Sequence, residues 1–130
     1  MTLHYVALVS VLILAQYIYF IALAGQARDK EGIKAPAMTG GVRFERALRV
    51  QLNTLEQMVL ALPALWLCAT FFRPDVAAGL GVVYLIGRFL YARGYLSDEP
   101  LRRGPGMLIT GLASVAMLLL TLFGVIRDLM

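Results

Sequence analysis

The chain of 130 residues is 60% hydrophobic and only 15% charged, with a formal net charge of +4. Its mean hydropathy is +0.76, and a water-soluble domain of this size would need far more charge to cover its surface. The composition therefore excludes a soluble globular protein and leaves an integral membrane protein with almost no length for a second domain.

The first apolar stretch, residues 3–24, predicts a helix over 3–25. It ends in Ala22-Leu23-Ala24, which resembles a signal-peptidase site. No basic segment precedes it, the apolar run is long, and the basic residues follow it, so a retained first helix is expected. A polar loop over residues 25–44 comes next. The second helix is predicted over 44–72, opening at Phe44-Glu45-Arg46. A tight Arg73-Pro74-Asp75 turn leads to a third helix over 76–96, and a polar link precedes a fourth over 105–127. Each apolar run is long enough to span a hydrocarbon core of about 30 Å. The expected fold is all-α: one transmembrane domain over residues 1–130, a four-helix bundle in an integral membrane protein.

Basic residues set the orientation. The first and third loops with their helix ends carry Arg28, Lys30, Lys34, Arg43, Arg46, Arg93, Arg102 and Arg103, against Arg73 and Arg127 on the other side. The positive-inside rule then puts loops one and three in the cytoplasm and both termini outside. The pI near 9.6 reflects this asymmetry, and cations spread over loops and helix ends give no reason to invoke nucleic acid. Cys68 and His4 are each the sole residue of their type, so no disulfide or metal site is expected. Cys68 reads as buried packing and His4 as a wetted interfacial residue.

Chemistry concentrates in the second helix. Glu56 lies inside the apolar run, about 13 residues or roughly 20 Å from the helix start. A carboxylate there costs roughly 2.5–3.5 kcal/mol to insert, so it needs a partner and marks function by default. At helical pitch Arg49, Asn53 and Glu56 share one stripe, with Arg46 a turn earlier. Gln51 points elsewhere, toward a different neighbour. A cation, an amide and an anion on one face suit a polar ligand, although such groups can also simply hold helices together.

In the third helix Arg88, Tyr91 and Tyr95 fall at i, i+3 and i+7, with Tyr84 extending the row. Tyrosines and arginines at a helix end often form an interfacial belt. Arg88 lies about two turns deeper than the loop and is the natural countercharge for Glu56. The third loop closes with Arg102-Arg103-Gly104-Pro105 before the fourth helix, where side-chain cations next to unpaired N–H groups favour an anion. The fourth helix is apolar all round and is expected to pack and to face lipid.

Together these residues resemble the MAPEG family, the membrane-associated proteins of eicosanoid and glutathione metabolism. Phe44-Glu45-Arg46 followed by Arg49-x-Gln51-x-Asn53-x-x-Glu56 is similar to its second-helix signature. Arg88-x-x-Tyr91-x-x-Gly94-Tyr95 matches the third-helix signature, and Leu101-Arg102 with Pro105 continues it. The resemblance spans nearly the whole chain and is strongest to the branch holding the leukotriene-forming glutathione transferase and the lipoxygenase-activating protein.

The resemblance implies a homotrimer that binds glutathione between neighbouring subunits near the cytosolic face. Arg49, Asn53, Glu56, Tyr91 and Tyr95 would grip the tripeptide, Gln51 and Arg28 would come from the adjoining subunit, Arg88 would support the pocket, and Arg102 would face the thiol. Three positions depart from the leukotriene-forming enzyme: Asp29 in the basic pair after the first helix, Leu90 for an arginine, and Gln57 for an aromatic residue. They bear on leukotriene formation and on the thiol's surroundings, and leave most of the glutathione-binding set intact.

The expected function is a membrane-embedded glutathione transferase, with glutathione as cosubstrate and lipophilic electrophiles or lipid hydroperoxides as partners. Glutathione peroxidase activity is an accompanying expectation, and the expected setting is a bacterial inner membrane. One alternative is a non-catalytic member of the same fold that binds lipid or partner proteins. A small four-span exporter is the other, but it would carry its glutamate in the first helix with few deep arginines.

Overall fold

The computed structural model describes residues 3–97 and 99–130. Four long helices follow one another: α1 (Leu3–Glu31), α2 (Val42–Phe71), α3 (Pro74–Tyr95) and α4 (Arg103–Leu129), with a short 3-10 turn (Pro100–Arg102) before the last. All four are long and apolar enough to cross a membrane. α2 and α3 form the centre, each packing on all three other helices, while α1 and α4 flank them on opposite sides.

α1 runs six residues past the expected end at residue 25. Gly25 has open space around it and does not break the helix, because Gln26 to Glu31 favour helix and Arg28 and Lys30 suit the negative end of the dipole. The stop comes at Gly32, whose φ of 65° places it in the left-handed region. Its N–H donates to the Asp29 carbonyl and that of Ile33 to the Arg28 carbonyl, the paired bonds of a Schellman ending. The first loop is consequently much shorter than expected.

α2 begins at Gly41 with no side-chain cap of its own. Glu31, at the end of α1, supplies one by accepting from the backbone N–H groups of Arg43 (3.2 Å) and Phe44 (2.9 Å). This carboxylate joins the two helix ends, and a Cβ at Gly41 would overlap it. At the other end Pro74 occupies the first position of α3, where its missing N–H costs nothing, and Arg73 pairs with Asp75 at 2.7 Å.

The interior is not purely apolar. Val6, Ile13, Leu65, Cys68, Tyr84 and Met117 belong to the main core, but Gln16, Thr54, Arg88, Thr110 and Ser114 are buried among the helices as well. α4, expected to be apolar all round, contributes two of these hydroxyls. Thr110 returns its O–H to the Gly106 carbonyl at 2.9 Å, which explains how a polar residue is tolerated there.

Candidate functional site

Arg88 is fully buried, at 0% exposure. Its Nη2 donates to Thr54 Oγ1 at 2.7 Å, and the guanidinium lies 4.2 Å from the centroid of the Tyr91 ring. A desolvated cation over an aromatic face gains about 2 kcal/mol. The ring of Tyr95 follows at 5.7 Å from Tyr91, and Arg103 covers Tyr95 at 5.2 Å. Arg88, Tyr91 and Tyr95 of the expected row on α3 are thus continued by Arg103 from the start of α4 into a stack of two cations and two rings. Arg88 Nε and Nη1 have no hydrogen-bond partner among the described residues.

This geometry corrects the expectation that Arg88 is the countercharge of Glu56. Thr54 and Glu56 are two residues apart on α2, hence about 200° apart around the helix. The face that meets Arg88 carries Thr54, and Glu56 points outward. Glu56 is exposed, amid exposed Leu55, Val59 and Leu60, and no ion pair involving it is formed among the described residues.

Arg49, Asn53 and Glu56 do share one outward stripe of α2. Arg49 is exposed and Asn53 half-buried, and the Asn53 Oδ1 atom is shielded without a hydrogen-bond partner. Arg49 and Arg103 both act electrostatically on the Tyr91 hydroxyl, which links the stripe to the aromatic stack. Gln51 is half-buried on the far side of the helix. Arg28 is engaged within its own chain: it donates to the Ala37 carbonyl at 2.8 Å and lies 4.4 Å above the Phe44 ring.

Arg102 sits in the 3-10 turn. Gly94 allows the turn's backbone to approach α3 closely, since a Cβ there would collide with the Arg102 carbonyl. The Arg102 guanidinium is exposed and pairs with Glu99 at 3.1 Å. Arg46, from α2, donates to the Ser97 carbonyl at 2.9 Å, and Ser97 Oγ donates to the Gly94 carbonyl at 2.6 Å. Arg46 therefore ties α2 to the segment that carries Arg102.

A single chain thus joins Arg88, Tyr91, Tyr95 and Arg103 and sets Arg49 within electrostatic reach. It leaves Glu56 and Arg102 exposed and Gln51 half-buried on another side of α2, in surroundings different from those of buried Tyr91. Three contributors were missed in sequence. Glu99, three residues before Arg102, was visible as an i, i+3 pair. Thr54 was visible only as a polar residue on the buried side of α2. Glu31 as the cap of α2 had no local signal, because its partners lie 12 and 13 residues away.

The sequence profile of the MAPEG family matches residues 6–123. An uncharacterized protein of Synechocystis is 42% identical over 123 residues, covering 95% of this chain and 89% of the relative. Human microsomal glutathione S-transferase 2 is 39% identical over 120 residues, covering 91% and 78%. Mouse leukotriene C4 synthase is 37% identical over 100 residues, covering 77% and 65%.

Proposed function

The chain belongs to the MAPEG family and is an integral membrane protein, and from that premise we propose that it is a glutathione transferase acting on lipophilic electrophiles. Arg49, Asn53 and Glu56 form one wall of the site, Tyr91 and Tyr95 the other, and Arg88 holds Tyr91 in place from behind. The remaining groups, Gln51 and Arg28, come from a second copy in a homotrimer. Similarity to microsomal glutathione S-transferase 2 and to leukotriene C4 synthase supports the reading at the level of reaction class. Within the family the proposal is the branch of the leukotriene-forming transferase and the lipoxygenase-activating protein, in a bacterial inner membrane with its site on the cytoplasmic side.

The observation that carries the proposal is the unpaired stripe. Glutathione has two carboxylates and an α-ammonium group. Arg49 offers a cation, Glu56 an anion and Asn53 an unused amide oxygen, none of them in a hydrogen bond or ion pair with another described residue. A ligand of mixed charge satisfies all three at once, where lipid satisfies none.

Arg102 supplies the chemistry. A thiol with a pKa near the ordinary cysteine value of about 8.5 is mostly protonated at neutral pH. A guanidinium beside the sulfur favours the thiolate, which is the nucleophile. The pair with Glu99 is exposed and worth about 0–1 kcal/mol, so it yields readily to a ligand anion. The thiolate attacks an electrophile held in the apolar surroundings, and the enzyme contributes positioning and charge stabilisation. Reduction of lipid hydroperoxides is part of the proposal: the thiolate takes the outer peroxide oxygen and releases the alcohol, and a second glutathione then gives the disulfide and water.

Stopped-flow mixing of the detergent-purified protein with glutathione and an aromatic halide tests it. A thiolate absorbance on glutathione binding, followed by product, is expected. Arg102→Ala should lower kcat roughly 10- to 100-fold, the effect of one to two pKa units on the thiol, with little change in glutathione affinity. No thiolate and no turnover in the unaltered protein would transfer the chain to the non-catalytic reading.

A further inference from the structure

A cavity of about 520 Å³ opens between the last turns of α1 and the first turns of α2, closed at one side by Leu96 after α3. That volume falls within the range of small-ligand sites. Lys30, Arg43 and Arg46 line it against one carboxylate, Glu31. Glu31 is already engaged by the N–H groups of Arg43 and Phe44. Arg46 is tethered to a neutral carbonyl and keeps its charge. The side chains of Lys30 and Arg43 have no hydrogen-bond or ion-pair partner among the described residues. Glu31 keeps its charge as well, so the cavity lining sets three cations against one carboxylate and is cationic overall.

Its position in the membrane is informative. α1 has 29 residues, a length of roughly 43 Å against a hydrocarbon core of about 30 Å. Its apolar run stops at Ala24, so Lys30 projects into the headgroup layer, and Arg43 in the first turn of α2 lies beside it. The wall below the cations is apolar, formed by Leu23, Ala27 and Ala47. A cationic mouth over an apolar floor at headgroup depth matches a phosphate group attached to an apolar tail.

We propose that this cavity binds the phosphate of an anionic phospholipid, with Lys30 and Arg43 as its principal ligands and the glycerol end of the acyl chains against Leu23. Basic pockets between helices at the membrane surface recognise anionic headgroups in this way. The site uses residues other than the glutathione set and does not depend on the transferase reading.

Native mass spectrometry of the detergent-purified protein, titrated with phosphatidylglycerol or phosphatidylcholine, tests the proposal. Phosphatidylglycerol should be retained preferentially. Lys30→Gln with Arg43→Gln should weaken that retention roughly thirtyfold, from the loss of two interfacial cations, and Lys30→Gln alone should weaken it about fivefold. Arg73→Gln, at the opposite end of the bundle, should leave it unchanged. Equal retention of both lipids, or equal losses in the Arg73 variant, would overturn the site. Inorganic phosphate should not displace the lipid; displacement at comparable concentration would show a simple anion site instead. Excess glutathione should also leave retention intact, and competition by it would make the cavity part of the tripeptide's path. Turnover in the double variant should match the unaltered protein, so a failed lipid test and a failed transferase test remain separable.

Discussion

Arg88 holds a positive charge where no carboxylate of the described residues pairs with it. Its stabilisation comes from one hydroxyl and one aromatic face. Removing the hydroxyl leaves a buried charged donor unsatisfied, which costs about 1–3 kcal/mol or somewhat more. Thr54→Val, nearly identical in shape, should lower thermal stability in detergent by that amount. It should also loosen Tyr91, so glutathione affinity falls as well. Thr54→Ser retains the oxygen and should restore most of both properties. If Thr54→Val melts and binds glutathione like the parent, Thr54 does not fix Arg88. Arg88 was legible as a deep cation from its place in the third apolar run, and so was its spacing with Tyr91 and Tyr95. It did not reveal the partner, because a charge inside a membrane helix suggests a countercharge, and periodicity alone did not say that the buried side of α2 carries Thr54 and not Glu56.

The helix ends are coupled in pairs. Glu31 caps α2 from the end of α1, and Gly41 leaves it room. Glu31→Ala removes a cap and should cost about 1–2 kcal/mol. Gly41→Ala forces its Cβ against the same carboxylate and should be at least as harmful alone. In the Glu31→Ala background there is no carboxylate to strike, so the second substitution should add little. A double-mutant cycle on thermal unfolding should return a coupling of about 1 kcal/mol or more, and strict additivity would dissolve the proposed contact. α3 and α4 are joined by a similar close approach: a Cβ on Gly106 would strike the Tyr91 backbone. Gly106→Ala should therefore disturb the aromatic stack, lowering both stability and glutathione affinity, as small residues at membrane helix contacts predict. The existence and order of the four helices were legible from apolar length, since the membrane fixes how long a span must be. Their ends were less so. The end of α1 is set by a glycine turn and by a carboxylate whose role appears only when the next helix is packed beside it.

At the scale of the molecule, the outward stripe on α2 decides how the chain can exist in a bilayer. Glu56 is exposed in a single chain beside exposed Leu55, Val59 and Leu60, which lipid can cover and a carboxylate cannot tolerate as a neighbour. An ion held in hydrocarbon costs several kcal/mol unless it is paired. In the proposed assembly a second copy would supply what the first lacks, Gln51 leaving the same helix on a different side from Glu56. The proposed homotrimer would close such contacts into a ring of three identical interfaces. Native mass spectrometry of the intact assembly should therefore give three copies per particle. Glu56→Leu tests the role of the carboxylate: the ring should persist, because apolar contacts remain, while glutathione binding should fall at least tenfold with the loss of a charged contact of about 1.5–3 kcal/mol. A chain that runs as a monomer with Glu56 intact would leave the stripe unexplained and remove the geometric basis for a site shared between subunits.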